Sequence, residues 1–162
     1  MSSISESIQI LNQAERFKNS ADLLFANVHN DVNSYFIPAQ VLAALSIELH
    51  IKALALFENG TYSRGHDIFA IYKKLSAKTQ LDIKEMMEKK IIQFDLETSN
   101  QRIELEKISG VEISKDLDKI LQDISLIFVN IRYIFDKQKP ISFYYIDLVR
   151  IVLEDFCQKI KL

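Results

Sequence analysis

Pro38-Ala-Gln-Val-Leu-Ala-Ala-Leu-Ser46-Ile-Glu48-Leu-His50-Ile-Lys52-Ala-Leu-Ala-Leu56 is the stretch whose reading decides the fold. Its apolar residues cover nearly the whole circumference of a helix, and such a helix is either buried or spans a membrane. Pro38 suits a first helical position, where its fixed φ is useful and its missing N–H has no partner. Gly60 supplies a left-handed residue to end the helix. Glu48, His50 and Lys52 interrupt the apolar run, which argues for a protein core rather than a membrane span. At about 100° per residue, Glu48 and Lys52 share one face, and Ser46 and His50 share a roughly opposite one.

Around this helix the whole chain reads as α-helical. Three Gly and two Pro in 162 residues leave little material for the turns of an all-β fold. The long periodic runs of Leu, Ile, Ala, Lys and Glu favour helices. A first helix starts near Ser5 or Ser7 with Ile8, Leu11, Ala14, Ala21, Leu24, Phe25 and Val28 inward, and the polar run His29 to Ser34 ends it. Gly65-His66-Asp67-Ile68 opens another helix, with Ile68, Ile71, Tyr72 and Leu75 on one face. A further helix spans Thr79 to Ile92, with Leu81, Ile83, Met86, Met87 and Ile91 as its core face. Asp95 to Ser109 has the weakest periodicity and is expected to be the least ordered stretch. A helix starting near Ser114 or Asp116 is predicted to run to Asp136 or Lys137, and Pro140 breaks the chain after it. A last helix runs from Ser142 to Ile160 on Ile146, Val149, Leu153 and Phe156. The expectation is one domain over residues 1–162, an all-α antiparallel bundle of five to six helices.

Bulk properties narrow the function. Twenty basic residues against 22 acidic ones give a net charge of −2, without the broad positive field that marks nucleic-acid binding. RNA is left open as a partner but is not indicated by charge. The Lys73-Lys74, Lys89-Lys90 and Lys137 to Lys139 clusters read as solvated faces. Cys157 is the single cysteine, so no intramolecular disulfide forms and a reducing, cytoplasmic setting is expected. The N-terminus lacks the basic and apolar regions of a signal peptide. No metal is expected, because His-x-x-x-His, Cys-x-x-Cys and His-Glu-x-x-His spacings are absent. No cofactor is expected either, since no phosphate-binding glycine motif occurs.

Ser46 to Ala53, then Gly65-His66-Asp67-Ile68 and Leu75, resembles the HEPN family of prokaryotic helical domains. The resemblance implies a helical bundle that usually dimerises, in toxin–antitoxin or phage-defence systems, sometimes as a ribonuclease. HEPN ribonucleases carry an Arg on a late helix, followed one to two turns later by a His. Arg132 matches the Arg, but Tyr133 through Pro140 contains no His. Arg132-Tyr133-Ile134-Phe135-Asp136 instead resembles relatives in which an acidic residue follows Arg-Tyr. The leading expectation is therefore a HEPN-like interaction or accessory protein, homodimeric or bound to a protein partner, away from membranes. The alternative is a metal-independent ribonuclease in which Arg132 works with His66 or His50.

Arg132 and His66 are the catalytic candidates, and Glu48, Lys52, His50, Asp67, Tyr133 and Asp136 form the expected polar network of the cleft. Within it, Glu48 is expected to pair with Arg132, while Lys52 competes for the carboxylate and Asp136 takes a second edge of the guanidinium. The plainer reading of Asp67 is a helix cap.

Overall fold

The computed structural model describes residues 3–130, 144–160 and 162. Every regular element among them is helical: α1 (Ser3–Phe25), α2 (Val32–Asn59), α3 (Ile68–Tyr72), α4 (Ala77–Ser109), α5 (Leu117–Ser125), α6 (Ile127–Asn130) and α7 (Ile146–Lys159). Only Leu126 separates α5 from α6; taken as one, they bring the bundle to six helices, in agreement with the all-α expectation.

The α1–α2 hairpin is the base of the bundle. Its seam on the α1 side is Ser7, Ala14 and Ala21, all fully buried, facing the equally buried Ala39, Ala43 and Ala44 of α2. Small side chains let the two backbones approach closely and leave the large ones for the other faces. Ile8, expected inward, is exposed for that reason. Lys18 and Asp22 tie α1 to α7. Lys18 Nζ lies 3.0 Å from Glu154, and Arg150 Nη2 lies 2.8 Å from Asp22.

α2 begins six residues before Pro38. Asp31 caps it, its carboxylate accepting from the Ser34 N–H at 3.2 Å and the Ser34 hydroxyl at 2.5 Å. Pro38 therefore sits in the second turn rather than opening the helix. What it forgoes is one amide bond to the Ser34 carbonyl near the helix start. Gly60 ends α2 in the left-handed region, at φ 67°, its N–H donating to the Leu56 carbonyl. By length and composition α2 is apolar enough to cross a membrane. Most of that apolar surface lies inside the bundle, where Ile47, Ile51, Leu54, Ile68, Ile83, Met87, Leu121 and Leu153 are fully buried.

α4 corrects the sequence reading twice. Leu81, placed in the core by periodicity, is exposed. The stretch from Asp95 to Ser109 is not a separate loose segment: α4 runs on through it to Gly110, whose φ of 67° ends the helix. Polar tertiary contacts stand in for the missing apolar periodicity. Tyr145 donates its hydroxyl to Asp95 at 2.9 Å, and Tyr144 donates to the Thr98 carbonyl at 3.0 Å. Both tyrosine rings meet Phe94 edge-on, with centroids 5.6 and 6.1 Å away. Lys115 and Arg102 pair with the same Asp95 carboxylate, and Arg102 also reaches Glu106 at 3.0 Å. Burial pushes the Asp95 carboxyl up, but hydrogen bonds from Lys115 and Tyr145 outweigh it and hold the group below the usual carboxylate range.

The helix predicted from Asp116 is capped as expected, with the Asp116 carboxylate 3.2 Å from the Lys119 N–H. It breaks at Leu126 and resumes as α6 to Asn130; its expected course beyond that to Asp136 or Lys137, like Pro140 and Ser142, lies outside the described residues.

Candidate functional site

Glu48 is the centre of the strongest polar cluster. An α-helix brings residues four apart onto one face, so Lys52 lies one turn beyond it, with Nζ 2.6 Å from Oε1. The side chains are 3 and 7 % exposed respectively, so this is a buried ion pair. The loop between α2 and α3 then returns over this face and delivers His66, whose Nδ1 lies 3.2 Å from Oε1 and 3.1 Å from Oε2 of Glu48. Two aromatic rings border the cluster. Tyr62 lies under Lys52 Nζ at 5.9 Å, and Phe128 of α6 meets the His66 ring at 5.8 Å between centroids.

Chemistry fixes the roles in this cluster. A carboxylate oxygen accepts hydrogen bonds, so His66 Nδ1 donates to Glu48 and Nε2 is the ring nitrogen left free of that contact. The imidazole is 68 % exposed, which leaves Nε2 accessible from solvent. A histidine held by one nitrogen on a buried carboxylate and open at the other is oriented to accept or deliver a proton. Glu48 and Lys52 cancel each other in charge, so the cluster costs less to bury than either group alone.

Asp67 does not join the cluster. Its carboxylate caps α3, accepting from the Ala70 N–H at 2.9 Å, which is the plainer of its two expected roles. α3 is held further by the Phe69 N–H, which donates to the Ser125 hydroxyl at 3.0 Å. His50 lies on the other flank of α2, buried, its Nδ1 2.8 Å from the Ser46 carbonyl. Arg132, Tyr133 and Asp136 lie outside the described residues, and so does the expected Glu48–Arg132 pair. Both Glu48 oxygens are engaged by Lys52 and His66.

Sequence reasoning did not single out Tyr62, in the loop between α2 and α3, or Phe128, on α6. Neither has a local signal, because each meets its partner only through the return of the loop onto α2. Among the described residues there is no group of three or more His, Cys, Asp or Glu side chains placed to hold a metal ion. No family model, no curated protein and no solved structure matches the chain.

Proposed function

We propose that this chain is a HEPN-like interaction or accessory protein of a prokaryotic defence or toxin–antitoxin type of system, cytoplasmic, and working as a homodimer. The observation that carries the interaction reading is the outer face of α4. Ile92 and Leu96, one turn apart, are 65 and 81 % exposed, and Ile103 continues the same stripe two turns on. Exposed apolar groups in a row on a rigid helix mark an interface, and closed two-fold dimers are the commonest oligomers. Light scattering of the full chain at tens of micromolar is expected to give twice the chain mass, and Leu96→Glu to give the monomer. A monomeric parent protein defeats this reading.

A second reading is favoured by the Glu48–His66 contact. In a HEPN-type ribonuclease, His66 Nε2 would take the proton from an RNA 2′-hydroxyl as its oxygen attacks phosphorus, with Glu48 holding the ring and Arg132 stabilising the phosphate, and the P–O5′ bond would break with the leaving oxygen taking its proton from water. Cleavage of labelled RNA in chelator, abolished by His66→Ala and by Arg132→Ala, would establish the enzyme. Uncleaved RNA keeps the accessory reading.

A further inference from the structure

On the flank of α2 away from Glu48, α1, α2 and α7 enclose a cleft of about 400 Å³. Ile8, Leu11 and Leu162 supply apolar lining, and Glu15, Glu154 and His50 line it as well. This volume is near the lower end of the roughly 300–1,000 Å³ of small-molecule sites.

His50 gives the cleft its chemistry. The residue is 2 % exposed and lines the cleft. The Ser46 carbonyl can only accept, so Nδ1 carries the ring proton and Nε2 keeps a lone pair. Burial holds the imidazole below its usual range, against the hydrogen bond to Ser46 and the carboxylates of Glu154 and Glu15, with Lys18 adding to the lowering. The ring is therefore neutral at neutral pH, with Nε2 as an acceptor.

Beside the neutral amides of Asn12 and Gln158, the charged groups point the same way. Glu154 shares its charge with Lys18 at 3.0 Å, while Glu15, partly exposed, has no ion-pair partner among the described residues. Two carboxylates against one ammonium leave an excess of negative charge at the cleft. Burial and Glu154 push the Cys157 thiol up to about 12, so it stays protonated and serves as wall. Acceptors and negative charge beside apolar walls are complementary to a donor-rich cation with an apolar body.

We propose that this cleft is a binding site for a small organic cation, a protonated primary amine on a compact apolar body. Its ammonium donates to the Glu15 carboxylate and to His50 Nε2, and its body lies against Ile8, Leu11 and Leu162. The site is independent of the Glu48 cluster and of any nuclease or accessory role.

The test uses the full chain and phenethylamine as probe, with phenethyl alcohol and hydrocinnamate as neutral and anionic forms of the same body. Calorimetry and the His50 Cε1–H resonance follow binding. Saturable binding of the amine is expected, shifting the His50 resonance, with the alcohol weaker by about tenfold or more and the carboxylate not binding. Glu15→Gln, at a partly exposed and unpaired position, should keep the fold, read by circular dichroism, and weaken the amine by about tenfold. Absence of saturable amine binding overturns the proposal. So does equal binding of the alcohol, or undiminished binding to the folded Glu15→Gln protein.

Discussion

Breaking the Glu48–Lys52 pair from either side should be far more damaging than removing both members. At 2.6 Å and an effective dielectric near 20, the attraction is about 6 kcal/mol, and desolvating the two ions costs several kcal/mol each. The net value of the intact pair is therefore small. Glu48→Gln removes the attraction and leaves the Lys52 ammonium buried; Lys52→Met leaves the carboxylate with only the exposed His66. Each should cost about 3–5 kcal/mol, a large share of the roughly 5–15 kcal/mol that holds a domain together. With a urea m-value near 2 kcal/mol/M, the midpoint should fall by about 2 M. The double variant Glu48→Leu/Lys52→Met should recover most of that loss, since two apolar groups need no compensation. His66→Ala should cost about 1 kcal/mol or less, because an exposed partner is screened by water. Equilibrium urea unfolding of all four variants is the assay. Single losses under about 1 kcal/mol that add in the double variant would refute the reasoning, as would a His66→Ala loss as large as that of Glu48→Gln.

Three further outcomes are expected. His50 has a folded pKa held below its ordinary value of 6.5 by burial, so the unfolded chain takes up a proton first as pH falls. Stability should thus be full above that value and decline below it, and the decline should be shallower in a folded His50→Gln protein; an unchanged slope contradicts this. Amides of residues 98–106 should exchange slowly with solvent, and Asp95→Asn should speed them selectively while sparing α2, as read by hydrogen exchange. Gly110 stands at φ 67° with open space around the position of a Cβ, so Gly110→Ala should cost about 1–2 kcal/mol from backbone strain alone, measured by thermal unfolding.

What could be read in advance was whatever repeats locally. The inward faces of α3, α5 and α7 are apolar at helical spacing, and Ile68, Ile71, Leu117, Ile124, Val149, Leu153 and Phe156 are all buried as that spacing implies. Where a face was built from other material, periodicity gave no guidance. On α1, Ala14 and Ala21 are buried as their spacing implies, but Ser7 joins them in the seam without a hydrophobic signal, and the larger Ile8 beside it lies exposed. The second half of α4 turns Phe94, Asp95, Thr98, Arg102 and Glu106 toward its partners, and four of these five are polar. Their partners Tyr144 and Tyr145 lie about half a hundred residues further along the chain. In the site, Glu48 and Lys52 were legible as helical neighbours. The arrival of His66 depended on the path of a loop, which no spacing rule predicts.

The same helix shows why polar residues belong in a core at all. α2 is apolar on nearly every side, so hydrophobic burial by itself says little about which side should face which neighbour. Three residues remove that freedom. Glu48 and Lys52 must face the loop that brings His66, and His50 must face the cleft between α1 and α7. Two residues further along an α-helix lie about 200° around its axis, so both requirements are met at one rotation. A turn of the helix by a single residue position would keep the Glu48–Lys52 and His50–Ser46 contacts, which lie within α2, but would carry Glu48 about 100° away from His66 and His50 about 100° away from the cleft, burying polar groups among apolar side chains. Stability and orientation are thus separate contributions of Glu48 and Lys52. The Glu48→Leu/Lys52→Met protein, expected to keep its stability, has lost one of the two constraints and is held in rotation by His50 and the alanine seam alone.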